Sequence, residues 1–243
     1  MVFLLKLAIN DFRNILRDRF FLFAFFVYPL MFIVFSRIMV HLIAPRIEDV
    51  FPLAANFSFI FMFIVILVPF IFSFIAAFLI LDERDEHILT VLRVMPISRN
   101  SYLIYRMLFM SIFAFIVLLI FPPLSGLIEN TQFSYPAYIP VAILFALFTP
   151  ISTLLVSSFA TNKVQAFAIF KIGGTVFILP IFAFLLNLDN IKYIFSPIPN
   201  FWSLISLDSV IKNGTLEIVP IVIGFIYHIA IISVLFYIFN RKN

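Results

Sequence analysis

ANFSFIFMFIVILVPFIFSFIAAFLIL, residues 55–81, decides the fold. Twenty-seven residues without an acidic or basic side chain reach about 40 Å as a helix, more than the hydrocarbon core of a bilayer, about 30 Å. The run is apolar on every face, whereas a barrel strand would alternate polar residues toward a lumen, so it reads as a membrane-spanning helix. Five more runs of the same kind flank it, at 20–42, 102–123, 137–160, 165–187 and 217–239. Composition agrees: 64% of the 243 residues are hydrophobic and only 12% charged, with a mean hydropathy of +1.19. A water-soluble domain carries roughly a quarter charged residues, so this chain cannot cover its own surface in water. The expected fold class is an all-α integral membrane protein of six transmembrane helices, a single transmembrane domain over 1–243 with no room for a separate catalytic unit.

The net charge of +4 and pI near 9.4 need no nucleic acid as partner, because basic residues set topology in membrane proteins. With the amino terminus cytoplasmic, that side receives twelve of the sixteen basic residues, among them Arg13, Arg17, Arg84, Arg93 and Arg241, and the outer side receives three, Arg46, Lys192 and Lys212. Both termini are therefore expected in the cytoplasm of a multi-pass cell (plasma) membrane protein. The first apolar run is long and has no small-residue cleavage site after it, so it reads as a span and not as a signal peptide. Cysteine is absent, which removes disulfides and thiolate metal sites.

Three segments outside the spans carry information. In residues 1–19, Leu4, Leu5, Ala8, Phe12, Ile15 and Leu16 share one helical face and Lys6, Asn10, Arg13, Asn14 and Arg17 the other; this predicts an amphipathic helix lying along the interface. Between spans 2 and 3, Asp82, Glu83, Asp85 and Glu86 precede Ile88, Leu92 and Met95, which fall on one face before Pro96. Carboxylates suit the start of a helix, so this loop predicts a short cytoplasmic helix with an apolar ridge, either a docking surface for a partner or packing beneath the protein's own spans. Between spans 5 and 6, Pro197 and Pro199, a cap at Asn200, the apolar residues 201–211 and Asn213-Gly214 give helix start and stop signals. That predicts an outer helix, re-entrant or interfacial, serving as a lid, as an anchor through Trp202 or as filling.

Inside the spans, Arg106 and Lys171 lie within about two turns of the cytoplasmic ends and read as snorkelling anchors. His228 falls near the middle of span 6. It could be a proton relay or cargo contact, but no mid-span carboxylate partners it, which favours a neutral imidazole bonded to a carbonyl or hydroxyl. No phosphate-binding glycine loop, zinc-binding histidine pair or nucleophile elbow occurs. No catalytic residue and no metal site is expected, no cofactor is bound by this chain, and any energy source must come from a partner.

At these residues the chain resembles a family. Leu81-Asp82-Glu83-Arg84-Asp85-Glu86, leading through Leu92 to Met95-Pro96-Ile97-Ser98 and Tyr102-Leu103, is similar to the permease subunits of type 2 ABC exporters. Phe159-Ala160-Thr161-Asn162-Lys163-Val164-Gln165-Ala166, with Pro197-x-Pro199-x-Phe201-Trp202, is similar more narrowly to the fluoroquinolone-export permease branch. The resemblance implies a permease dimer, homodimeric or heterodimeric, with a separate ATP-binding cassette ATPase subunit on each protomer holding ATP and Mg. It makes the loop between spans 2 and 3 a coupling helix, whose surface would be Glu83, Arg84, Glu86, His87, Leu89, Leu92 and Arg93, supported by Arg13 and Arg17 of the interfacial helix. The family often has glycine after the acidic turn where this chain has His87-Ile88. The path between protomers would be lined by spans 1, 2 and 5 and carry hydrophobic or amphipathic cargo, such as a drug-like molecule, lipid or peptide; Phe61, Phe72 and Phe177, with His228, are its candidate contributors. The rival is a stand-alone secondary transporter or channel, or a membrane anchor for a cytosolic partner. A secondary transporter calls for broken helices and mid-membrane ionisable groups, of which only His228 fits.

Overall fold

The computed structural model describes residues 2–86, 98–186 and 188–242. Six helices among them are long and apolar enough to cross a membrane, and no strand occurs there: Arg19–Ile47, Ala54–Asp85, Asn100–Ser125, Tyr135–Phe159, Lys163–Leu185 and Ile218–Lys242, numbered spans 1 to 6. Spans 2 and 4 are 72% buried against 22–39% for the others, so this pair forms the centre and the remaining spans wrap it. Span 2 carries Pro69 inside its helix. Thr149 Oγ1 of span 4 donates to the Pro69 carbonyl at 3.4 Å and Thr153 Oγ1 to the Ser73 carbonyl at 3.3 Å. Hydroxyls of one central helix thus meet backbone acceptors of the other, next to the place where proline interrupts the ladder.

Span 1 begins where Asp18 accepts hydrogen bonds from the Phe20 and Phe21 amides, a side-chain cap for the first turn. It runs to Ile47, five residues past the predicted end, and contains two π-helical stretches, Phe23–Val27 and Met39–Ile43. Each directly precedes a segment with proline at its start, Pro29 and Pro45. Proline has no N–H and its ring crowds the preceding turn, and a wider i→i+5 turn accommodates that without breaking the helix.

The amino-terminal helix Val2–Arg17 is amphipathic and docks on the bundle. Ile15 is fully buried and the Phe12 ring packs against Phe25 and Phe26 of span 1 and Phe113 of span 3, at 6.1–6.4 Å between centroids. Arg13, Asn14 and Arg17 are exposed.

The helix between spans 5 and 6, Pro199–Asn213, resolves the alternative left by its sequence. It is buried along most of its length, with Phe201, Leu204, Leu207, Val210 and Ile211 in the core among spans 4, 5 and 6. Its start reaches mid-depth: Asn200 Nδ2 donates to the Phe177 carbonyl of span 5 at 3.3 Å, and Tyr227 Oη of span 6 donates to the Pro197 carbonyl at 2.7 Å. The helix is re-entrant filling and not an interfacial anchor, and Trp202 turns its indole N–H to the Ser196 carbonyl. Asn200 is not the cap; Ile198 holds that position without a side-chain bond. The stop is where Asn213-Gly214 predicts it, with Gly214 in the left-handed region at φ +66°, which glycine enters without penalty.

Candidate coupling site

The chain's termini, the acidic end of span 2, the start of span 3 and the turn between spans 4 and 5 gather at one end of the bundle. Asp82, Glu83 and Asp85 belong to the last turns of span 2, whose cap is Glu86. This corrects the expectation that they open the following helix. At a helix C-terminus carboxylates face the negative end of the dipole, and basic partners offset that. Lys163 Nζ lies 2.6 Å from Asp82 Oδ1. Arg106, near the start of span 3, pairs with Glu83 and lies 2.7 Å from Asp11 Oδ2 of the amino-terminal helix.

Arg106 is 2% exposed. It is therefore not a snorkelling anchor but the centre of an interior network. Tyr102 Oη donates to Glu83 and accepts from Arg106 Nη2 at 2.6 Å, while Tyr105 Oη donates to Asp11 at 2.7 Å. One guanidinium, two carboxylates and two phenols thereby tie together the amino-terminal helix, the end of span 2 and the start of span 3. Two carboxylates taken out of water need a positive partner between them, and arginine's rigid fork can serve both.

A second tie holds spans 2, 4 and 5. The Arg84 guanidinium donates to the Ala160 carbonyl at 2.7 Å and the Ser157 carbonyl at 3.4 Å, satisfying acceptors that the end of span 4 leaves open. The next residues form a reciprocal cap. Asn162 Oδ1 accepts from the Gln165 amide, and Gln165 Oε1 accepts from the Thr161 amide and hydroxyl, each at 2.9 Å. The segment 159–166 is thus a tight turn gripped by Arg84 and Lys163.

The expected coupling surface therefore divides. Glu83 points inward and is held in the network; Arg84 clasps span 4; Glu86 is exposed. His87, Leu89, Leu92 and Arg93, and with them the short helix expected there, lie outside the described residues. Arg13 and Arg17 are exposed on the amino-terminal helix. Asp11, Tyr102, Tyr105 and Arg106 were not in the expected set. A signal for them existed: Asp11 sits between Ala8 and Ile15 on the otherwise apolar face of its helix, where an acid needs a buried base.

The expected path residues scatter. Phe61 and Phe72 are fully buried inside the protomer, Phe61 on Phe121 at 5.5 Å and Phe72 on Phe25 at 5.2 Å. They are core packing and line no open surface. Phe177 is partly buried with its ring 4.8 Å from that of Phe148. His228 is fully buried with Nδ1 2.8 Å from the Gly224 carbonyl of its own helix, so the bond is within span 6 and not across helices.

Comparison with known proteins bears on the whole bundle. A family model described as "Fluoroquinolones export permease protein Rv2686c-like" matches residues 11–236. Two relatives from Mycobacterium tuberculosis, the fluoroquinolones export permease protein MT2760 of strain CDC 1551 and the fluoroquinolones export permease protein Rv2686c of strain H37Rv, are each 28% identical over 171 residues, 70% of this chain. The match spans 66% of the length of each relative. No solved structure matches the chain significantly. The family match runs from the buried Asp11 to the last turns of span 6, and the chain belongs to the family of Rv2686c-like fluoroquinolones export permease proteins.

Proposed function

We propose that the chain is the membrane-spanning permease subunit of an ATP-binding cassette exporter, lying in the cell membrane with both termini cytoplasmic. It works as a dimer of permease protomers, is driven by a separate ATPase subunit that holds ATP and Mg, and moves amphipathic cargo of the kind its relatives' names state, fluoroquinolones. The observation that carries this reading is the Asp11–Arg106–Glu83 network. The segment between Glu86 and Ser98 leaves span 2 and enters span 3 at the two helix ends that this network fastens together. A push on that segment would therefore move spans 2 and 3 and the amino-terminal helix as one body. Arg84 and Lys163 extend the body to the turn between spans 4 and 5. Packed helices pass such a rigid displacement on to their neighbours. The chain itself supplies transport and the partner supplies hydrolysis.

The test is gentle purification of the tagged chain from its host, mass spectrometry of what stays bound and a vanadate-sensitive ATPase assay. A stoichiometric ATP-binding cassette subunit with that activity is expected. Leu92→Asp, which places a charge on the expected apolar ridge, should abolish partner retention and leave membrane insertion intact. A lone oligomer without ATPase activity would overturn the reading in favour of a stand-alone transporter.

A further inference from the structure

The amino-terminal helix Val2–Arg17 has three different faces. Asp11 and Ile15, one turn apart, are buried against the bundle. Arg13 and Arg17, also one turn apart, lie on the opposite side and are exposed. Ile9 and Leu16, four residues before Arg13 and three after it, are exposed as well. At 3.6 residues per turn those two lie beside the arginines on the helix surface. Outside its contact with the bundle, the helix therefore shows a cationic strip with an aliphatic strip alongside. That pairing fits a helix lying in the plane of the membrane interface, with apolar side chains among acyl chains and basic ones among headgroups.

The chain leaves these arginines without counterions. Among the described residues none of Arg13, Arg17 and Arg19 has an ion pair. The acids of the same stretch are engaged elsewhere: Asp11 with Arg106 and Tyr105, and Asp18 Oδ1 with the Phe20 and Phe21 amides. Asp18 has extended backbone and separates this helix from span 1. Just beyond it Phe20, Leu22 and Phe23 are exposed apolar residues of the first turns of span 1. The hydrocarbon layer therefore begins there, and the three arginines stand at its edge, the level that phospholipid phosphates occupy. A guanidinium fork matches a phosphate with two parallel hydrogen bonds, and an anionic headgroup brings the negative charge that the surrounding side chains do not supply.

We propose that Arg13, Arg17 and Arg19 form a binding site for an anionic phospholipid, its phosphate held by the arginines and its acyl chains lying along Ile9, Leu16 and the start of span 1. The site goes beyond the exporter reading and does not depend on it. The resemblance to ABC permeases would turn Arg13 and Arg17 toward a partner subunit, whereas the exposed Ile9 and Leu16 beside them favour lipid. The same helix carries Asp11, so the bound lipid holds down the element that the Asp11–Arg106 pair fastens to span 3. For the test, the purified chain is placed in phosphatidylcholine nanodiscs that carry a trace of phosphatidylglycerol with a diazirine near the top of one acyl chain, or the same label on phosphatidylcholine. After irradiation, labelled peptides are mapped by mass spectrometry. The phosphatidylglycerol probe should be preferred at residues 9–20, and excess inorganic phosphate should leave that preference unchanged. Arg13→Gln with Arg17→Gln should lower the preference about tenfold and leave labelling by the phosphatidylcholine probe unaltered, which also shows that the helix is in place. Arg13→Lys with Arg17→Lys should restore it. Equal labelling by the two probes in the natural sequence overturns the proposal, as does a preference that survives Arg13→Gln with Arg17→Gln. So does an equally strong preference around Arg241 in the last turn of span 6, which would be general attraction to the basic end of the bundle. Competition by inorganic phosphate would make the ligand a free anion, and loss of the preference when a co-purifying ATPase subunit is bound would give this face to a partner protein; either result removes the lipid site. Absence of such a subunit would count against the exporter reading alone.

Discussion

Arg106 joins the amino-terminal helix, the end of span 2 and the start of span 3 through one side chain. It is 2% exposed and bridges Asp11 and Glu83, so Arg106→Gln would strand two carboxylates in the interior. Removing one partner of a buried pair costs about 3–5 kcal/mol, and thermal melting in detergent should fall accordingly. The triple change Asp11→Asn, Glu83→Gln and Arg106→Gln removes the charges together and should recover most of that loss. If Arg106→Gln melts like the natural protein, the network does not hold these helices. The same residues explain why the site was only half legible in the sequence. An arginine two turns inside a span satisfies the rule for snorkelling, and only the position of Asp11, ninety-five residues earlier in the chain, turns it into a buried partner. No local pattern encodes a contact across that separation. Glu83 stands out in the sequence as part of the acidic turn, but the direction it faces depends on the helix continuing past Leu81 to Asp85.

Elements were easier to read, because the solvent decides them. Six apolar runs each long enough to cross a bilayer had to become helices, and the structure has them with ends shifted by a few residues. The re-entrant helix was visible from its prolines and Gly214, yet its depth was not, since buried and interfacial helices share an apolar composition. Its seating depends on Gly224 of span 6. A Cβ there would meet Leu144 Cδ2 at 2.5 Å and Trp202 Cβ at 3.2 Å, closing on span 4 and the re-entrant helix at once. Gly224→Ala should therefore destabilise the protein by about 1–3 kcal/mol, although alanine is the better helix former. A melting temperature at or above that of the natural chain would show that the two helices can separate freely. The hydroxyl contacts between spans 2 and 4 predict a smaller effect. Thr149→Val with Thr153→Val removes both donors to span 2 carbonyls, and interhelical bonds in membranes average about 0.6 kcal/mol. The pair should thus cost about 1 kcal/mol in the same melting assay, well below Arg106→Gln.

For the molecule as a whole, an even number of spans places both termini at one end, and the distribution of charge must then choose which side of the membrane that end faces. The structure changes how the choice is counted. Of the twelve basic residues at the terminus-bearing end, Arg84, Arg106 and Lys163 are committed to partners within the fold. Setting these aside leaves nine against three at the opposite end, still a strong bias toward a cytoplasmic position for the termini. The internal pairs form only after insertion, so the full count acts while orientation is being decided. The cysteine-free sequence makes this directly measurable with single cysteines and a membrane-impermeant maleimide. Val50 lies in the turn after span 1 and is 90% exposed, and Arg241 is exposed in the last turn of span 6. Val50→Cys should react in intact cells, and Arg241→Cys only after the membrane is opened. The reverse pattern would invert the molecule. The network around Arg106 would then face outward, away from any ATP, and the proposed coupling to a cytoplasmic ATPase would fall with it.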